Sequence, residues 1–185
     1  MSLRDWFNRK DGAGGPGEGE LGSPTPKDLE LMARALELAR EASAAGETPV
    51  GAVVYETESG RVLAEAANTR ERERDPAGHA EFLAIRDAAA AVGDWRLNHC
   101  TVLVTLEPCP MCAGMIVNAR VGRVVYGARD PKAGACESLY KITDDPRLNH
   151  RPQVIGGVMA EESAELLRGF FRSLRERNRG RKGGD

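Results

Sequence analysis

The segment "HAEFLAIRDAAAAVGDWRLNHCTVLVTLEPCPMC", residues 79–112, combines a strong secondary-structure pattern with the residues best suited to bind a metal. Its Ala-rich first part, residues 79–92, predicts a helix because Ala and Leu have high helix propensity. The β-branched run "TVLVT", residues 101–105, predicts a buried strand. A helix through "CAGMIVNAR" and a strand at "RVVYG", residues 123–127, follow. Strand, helix and strand in this order form a crossover unit, which favours parallel pairing of the two strands.

N-terminal to this segment, the pattern predicts a helix and a β-hairpin. Thr25 is suited to cap a helix and Pro26 to take its first position, and this helix should end near Gly46. Two short apolar runs, "VGAVVY" at residues 50–55 and "RVLAEA" at residues 61–66, are separated by the turn-prone "ETESG". This arrangement is typical of two antiparallel strands joined by a tight turn.

The C-terminal part predicts one more strand and one more helix. The strand lies near "QVIGGV", and the helix runs from Glu161 to about Arg177. The order of elements is then α-β-β-α-β-α-β-β-α. We therefore predict the α/β fold class, with three α/β/α layers and a mixed five-stranded sheet covered by helices on both faces.

Composition indicates one domain with two tails. The chain has 185 residues, of which 41% are apolar, enough to bury one substantial core. Residues 1–26 include a long Gly- and Pro-rich run and are expected to form a flexible N-terminal extension. Residues 27–177 should form the folded domain, and residues 178–185 a basic C-terminal tail.

Charge and apolar content limit the location and the partners of the protein. The net charge is −2, so overall electrostatics do not favour a nucleic-acid partner, and any such partner requires a local patch. No apolar run approaches membrane-spanning length, and the first ten residues lack the apolar core of a secretory signal. The four cysteines, two of them in C-x-x-C, fit a reducing compartment. We expect a cytoplasmic protein.

Four residues at the two ends of the opening segment can form one metal site. In the crossover arrangement, His79 and Glu81 lie at the start of one helix, and Cys109 and Cys112 at the start of the next. Cysteines three positions apart on a helical turn point the same way, and the helix N-terminus stabilises thiolates. With His79 they supply three ligands to Zn²⁺, leaving the fourth position to a water whose pKa falls to about 7. Glu81, beside the metal, can take the proton of that water.

Two other interpretations of the cysteine pair remain open at this point. A C-x-x-C pair also occurs in thioredoxin-like redox motifs. A closed structural zinc site would need a fourth protein ligand, and Cys100, Cys136, His99 and His150 are the candidates. The combination of H-x-E with P-C-x-x-C is far more specific, since it is the established signature of zinc-dependent nucleobase deaminases.

Several longer stretches carry a resemblance to a known family. The stretches are "TPVGAVVY", "HAEFLAI", "VTLEPCPMCAGMIVNARVGRVVYGARDPKAGA", "LNHR" and "LLRGFFR". Together they resemble the bacterial tRNA-specific adenosine deaminases of the cytidine deaminase-like superfamily, over about residues 27–177. The resemblance implies a cytidine deaminase-like fold. It also implies hydrolytic deamination of adenosine to inosine at the wobble position of a tRNA anticodon. It also implies a homodimer with one zinc per subunit, and it assigns Glu81 as the proton shuttle.

The same resemblance assigns five substrate-binding residues: Asn68, Asp130, Lys132, Phe171 and Arg172. Asn68 matches the asparagine that hydrogen-bonds the target base, although an Asx turn in "ANTR" would also explain it. Asp130 and Lys132 match positions that contact the RNA beside that base, although a charged pair in a loop is often only solvated. Phe171 and Arg172 match a helical segment that flanks the substrate, although by spacing alone Phe170 or Phe171 would be core.

Three positions leave the identity of the substrate open. Thr48 lies where the pocket edge is often apolar. Pro110 and Glu137 are variants that also occur in relatives acting on free bases. A deaminase of a free base or nucleoside, of guanine or cytosine type, is therefore the second enzymatic interpretation. A catalytically inactive zinc-binding partner subunit is the third.

The C-terminal end is the only strongly basic region. Residues 168–185 carry seven Arg and Lys against two acids, an excess of five positive charges. Such a patch could hold a phosphate backbone, although a solvated helix with a charged tail would look the same.

For the homodimer, we expect Met115 and Ile116 to be exposed apolar positions that need a partner.

Overall fold

The computed structural model of the chain describes residues 22–182. Most of the predicted flexible extension, residues 1–21, lies outside the described residues, as do residues 183–185 of the predicted tail. Within residues 22–182, five helices and five strands follow one another, with a single 3₁₀ turn at Ile142–Asp144. The helices are α1 Pro26–Ala44, α2 Arg70–Glu73, α3 Ala80–Val92, α4 Pro110–Asn118 and α5 Ala160–Lys182. The strands are β1 Gly51–Glu56, β2 Val62–Ala67, β3 Cys100–Leu106, β4 Arg123–Ala128 and β5 Gln153–Ile155.

The five strands form one mixed sheet in the order β2-β1-β3-β4-β5. β1 pairs antiparallel with β2 and with β3, while β3, β4 and β5 are parallel. The parallel pair β3 and β4 flanks α4 in the chain, so the predicted crossover unit is confirmed. The predicted α/β class with a mixed five-stranded sheet is confirmed as well.

Helices cover both faces of the sheet, and the alternation along β1 shows how. Ala52 and Val54 pack on one side with α3 and α4. Val53 and Tyr55 pack on the other side with α1. β1 is thus buried on both faces, as the near-continuous apolar sequence "GAVVY" requires. None of the helices within residues 22–182 is long and apolar enough to cross a membrane.

Three local predictions differ from the structure. The last helix continues past Arg177 to Lys182, because nothing in "ERNRGRK" stops it. The order of elements predicted from the sequence has no helix between β2 and α3, whereas the charged stretch there contains the one-turn helix α2. Ile116 was predicted to be exposed but is fully buried, since α4 lays that side chain into the core beneath the sheet. Met115 is partly buried against the same core.

A buried carboxylate ties α1 to the sheet. Asp28 occupies the third position of α1 and closes a capping box with Thr25. Its Oδ1 accepts from the Tyr55 hydroxyl at 2.6 Å, and the Arg123 guanidinium donates to Oδ1 at 2.7 Å and Oδ2 at 2.6 Å. Burial acts to raise the pKa of Asp28, but the bonds from Arg123, Tyr55 and Thr25 outweigh it and hold the pKa at about 2. One side chain therefore connects α1, β1 and β4.

We predict that Asp28→Asn lowers the free energy of unfolding by about 3–5 kcal/mol, because it leaves the buried Arg123 without its charge partner. Urea denaturation measures the loss. Glu30→Gln on the exposed side of the same helix is the control, and its ion pair with Lys27 is worth at most about 1 kcal/mol. Equal losses in the two variants would contradict the assignment.

The pH dependence provides a second measure of the same group. The pKa of Asp28 lies below its ordinary value of 3.8, so its contribution is complete above that pH and is lost as the pH falls toward 2. Between pH 4 and pH 2 the wild type should lose more unfolding free energy than Asp28→Asn.

Candidate active site

Two helix N-termini meet at the edge of the sheet and carry the predicted metal ligands. His79 is the N-cap of α3, and Glu81 lies in the first turn of that helix. Cys109 is the N-cap of α4, with Pro110 at the first helical position and Cys112 on the first turn. Both caps have extended backbones and make no side-chain capping bond, so their side chains are free for another role.

The distances fit a tetrahedral metal ion. Sγ of Cys109 and Sγ of Cys112 each lie 3.6 Å from Nδ1 of His79. A tetrahedral zinc with usual Zn–S and Zn–N bond lengths separates such atoms by about 3.6 Å. The ligand atoms of His79, Glu81, Cys109 and Cys112 all lie within 4.8 Å of one another. One imidazole nitrogen and two sulfurs form a donor set that suits zinc.

The close approach of these four side chains shifts their pKa values. The hydrogen bond with Cys112 lowers the pKa of Cys109 to about 4. The same hydrogen bond, together with burial, raises the pKa of Cys112, so Cys112 keeps the shared proton. The bond to Cys109 raises the pKa of His79. Burial raises the pKa of Glu81, as expected for a carboxyl group that must exchange a proton during a reaction.

A cleft of about 960 Å³ opens directly above these residues. His79, Glu81 and Cys109 line its floor. All five residues predicted to bind substrate line it too: Asn68, Asp130, Lys132, Phe171 and Arg172. They come from the end of β2, the loop after β4 and helix α5, which are far apart in the chain. The fold thus brings the predicted residues to a single cavity.

Asn68 faces the cleft with a defined orientation. Its Oδ1 accepts the N–H of Ala80 at 2.9 Å, at the start of α3. This partner is twelve residues away, so the contact is not the local Asx turn that the sequence left open. Because a backbone N–H can only donate, the atom facing it must be the oxygen, and the amide nitrogen remains as a hydrogen-bond donor.

The two adjacent phenylalanines of helix α5 have different environments. Phe170 is buried, whereas Phe171 is 41% exposed and borders the cleft. The two rings meet edge to face, with centroids 5.4 Å apart. Phe170 is therefore the core residue, and Phe171 presents a ring surface to the cavity.

Residues that sequence reasoning missed also surround the cleft. Arg70 and Arg129 add positive charge to the rim, and Val50 lines the cleft together with Thr48, whose place at the pocket edge was already expected. Glu107 lies deeper and is almost fully buried. An acid at the end of an apolar strand, two residues before Cys109, was the available sign that Glu107 has a special environment.

The alternative fourth ligands lie elsewhere. Cys100 and Cys136 are buried in the core, and His99 is exposed. The Nε2 of His150 donates to the carbonyl of Val121. Among residues 22–182, the group of potential metal ligands contains none of these four. The closed structural site is therefore not formed.

Comparisons with known proteins identify the family of the chain. Residues 27–175 match the model of the MafB19-like deaminase family. A tRNA-specific adenosine deaminase of Bacillus subtilis is 44% identical over 153 residues, which cover 83% of this chain and 94% of that protein. A solved structure from studies of A-to-I editing by tRNA:A34 deaminases is 43% identical, with a TM-score of 0.71 over 75% of this chain and 99% of that one. The guanine deaminase of Nitrosomonas europaea is more distant, at 26% identity and a TM-score of 0.69, covering 80% of this chain and 85% of that one.

A mixed α/β sheet with a His, Glu and paired Cys at two helix N-termini defines the class of zinc-type nucleobase deaminases. The chain belongs to the MafB19-like deaminase family, and it is also a relative of the tRNA-specific adenosine deaminases.

We predict that the purified protein binds about one metal ion per chain, and that Cys112→Ala loses it because only two strong donors remain. Glu81→Gln should keep the metal, since the shuttle carboxylate is not a required ligand. Elemental analysis after dialysis gives the stoichiometry. Cys136→Ala, a buried thiol outside the cluster, is the control. Loss of metal from Glu81→Gln would identify Glu81 as a ligand.

Proposed function

We propose that the protein is a zinc-dependent hydrolase that converts adenosine to inosine at the wobble position of a tRNA anticodon. The observation that carries this is the buried carboxylate of Glu81 beside the His79, Cys109 and Cys112 donor set, at the floor of a cleft with a cationic rim. The relatives named for tRNA-specific adenosine deamination supply the substrate class. Expected with this role are one zinc per subunit, a homodimer and a cytoplasmic location.

The chemistry requires a water and a movable proton. Zinc held by His79, Cys109 and Cys112 would lower the pKa of a water at its open position. Glu81 takes a proton from the attacking water and passes it to N1 of the adenine ring as the water oxygen bonds to C6. It next takes the second proton from the C6 hydroxyl and delivers it to the amine, so that the C6–N bond breaks, ammonia leaves and inosine remains. Because burial raises the pKa of Glu81, its carboxyl group accepts a proton more readily than an exposed carboxylate does, as a proton shuttle requires.

The base has to be held with C6 over this centre. The free amide nitrogen of Asn68 can donate to an acceptor on the purine, since Oδ1 is occupied by Ala80. The exposed ring of Phe171 offers a stacking surface to a neighbouring base. An anticodon loop is already single-stranded, so extruding one base from it costs comparatively little.

The rim of the cleft suits a phosphate backbone. Its cations are Arg70, Arg129, Lys132, Arg168, Arg172 and Arg175. Three of them pair with acids, since Arg70, Arg129 and Arg168 contact Glu71, Glu137 and Glu161. Among the side chains that the structure describes, Lys132, Arg172 and Arg175 have no carboxylate within salt-bridge distance. These three charges remain to bind phosphates.

A second candidate function is deamination of a free base. The structural likeness to a guanine deaminase favours it, because the same fold and a similar chain length serve that reaction. A free base, however, has no phosphates to occupy Lys132, Arg172 and Arg175.

The deciding experiment offers the enzyme an anticodon stem-loop with adenosine at the wobble position, beside free adenosine, guanine and cytidine. Deamination of a free base with the stem-loop left intact would refute the tRNA substrate.

We predict that Glu81→Gln lowers kcat on the stem-loop by at least about 100-fold, the usual size of a general acid-base contribution. Inosine formation is measured by nucleoside analysis of the digested RNA. Glu58→Gln, which changes an exposed carboxylate in the turn between β1 and β2, should keep wild-type activity. Full activity in Glu81→Gln would remove the proton shuttle from the mechanism, and an inactive wild type would favour the inactive partner subunit.

We predict that Arg175→Ala weakens stem-loop binding and lowers the slope of log Kd against log salt concentration by about one, the value for one lost phosphate contact. Arg177→Ala is the matched control, because Arg177 lies on the same helix but lines a separate groove with Ser43 and Phe170. Fluorescence anisotropy at several salt concentrations gives both slopes. An equal change in the two variants would mean that α5 attracts RNA only through its net charge.

A further inference from the structure

Glu107 is a buried carboxylate surrounded by hydrogen-bond donors. It follows β3 directly and is only 2% exposed. Its Oε1 accepts the backbone N–H groups of Cys136 at 3.2 Å, Glu137 at 2.8 Å and Ser138 at 2.8 Å. Its Oε2 accepts the N–H of Asp130 at 3.0 Å and the hydroxyl of Ser138.

All five donors come from one loop. We name residues 129–138, which follow β4, the cleft loop, since residues 129–133 line the cleft. Bonds from Asp130 at one end and from residues 136–138 at the other close the loop around the carboxylate. The loop also approaches it closely in the middle, because a Cβ on Gly134 would lie 2.3 Å from Oε2 of Glu107. The cleft loop is therefore shaped around this side chain.

The chemistry of the donors demands a carboxylate. Four backbone N–H groups and one hydroxyl converge on two oxygens, and an ionised carboxylate is the side-chain group that accepts at both. A glutamine of the same size would turn an NH₂ group toward N–H donors on one side. That change would leave buried donors unpaired, which is costly, and the loop would have to move.

We propose that Glu107 is the positioning residue of the RNA-contacting wall, holding the cleft loop so that Asp130 and Lys132 face the strand beside the target base. Asp130 receives its backbone orientation from Glu107, and its own Oδ1 accepts the N–H of Lys132 at 2.9 Å. The chain of contacts thus runs from Glu107 through Asp130 to the unpaired cation Lys132. Its effect on catalysis rests on the proposed function, whereas its effect on the loop does not.

Two readouts test the proposal in Glu107→Gln. The first is amide hydrogen exchange, in which the protection of residues 130–138 should fall while that of α1 and β1 is kept. The second is steady-state kinetics on the stem-loop, in which KM should rise about tenfold or more and kcat should change much less. The metal content should stay that of the wild type. Glu107→Asp keeps the charge with a shorter reach and should recover part of the KM.

Asp28→Asn is the matched control. It also removes the charge of a buried carboxylate that accepts several hydrogen bonds. This carboxylate lies on α1, away from the cleft. It should lower stability while leaving KM unchanged, and residues 130–138 should lose no more protection than the rest of the chain. Ser138→Ala is the second test variant, in case Glu107→Gln does not fold. It removes one donor only and should give a smaller change in the same direction in both readouts.

The outcomes separate the two hypotheses. Unchanged exchange in residues 130–138 together with an unchanged KM overturns the positioning role. Loss of protection throughout the chain, as in a generally destabilised variant, also overturns it. If the wild type leaves the stem-loop intact while Glu107→Gln exposes the cleft loop, the tRNA function fails and the positioning of the loop stands.

Discussion

Three donor atoms from two helices must surround one point at bonding distance, and this requirement organises much of the protein. The 3.6 Å separations between His79 Nδ1 and the two sulfurs join residues 30 and 33 positions apart. They hold only if α3 and α4 begin at the same edge of the sheet. That arrangement depends on the order β1-β3-β4, with both helices packed on one face. The buried pair of Asp28 and Arg123 anchors the opposite helical layer to the same strands.

Two buried glutamates near this edge have opposite environments. For Glu81, burial dominates and raises the pKa. For Glu107, burial also acts to raise the pKa, but the bonds from Ser138, Glu137 and Asp130 outweigh it, so the pKa lies below its ordinary value. Burial therefore favours the protonated form of Glu81, whereas hydrogen bonds favour the ionised form of Glu107. In many active sites, two residues of the same type have different roles because their environments shift their pKa values in opposite directions.

Prediction from sequence succeeded where the pattern is local or the motif specific. The helix cap at Thr25 and the cysteine pair at the start of α4 are of this kind. It failed at Ile116, because spacing along a nine-residue apolar helix does not reveal which side meets the sheet. It also ended α5 too early, since a basic helix lacking a stop signal continues in solvent at little cost. Glu107 was overlooked because its donors are backbone groups more than twenty residues away.

The sequence by itself determined the kinds of donor atoms, their placement at helix starts and the order of strands and helices, since helix caps and β-branched runs act over a few residues. Only the tertiary structure decided which atoms meet. It placed Nδ1 of His79 toward the sulfurs, turned the Asn68 oxygen to Ala80, and wrapped the cleft loop around Glu107. These contacts join distant parts of the chain, and their geometry depends on how the helices and the sheet pack.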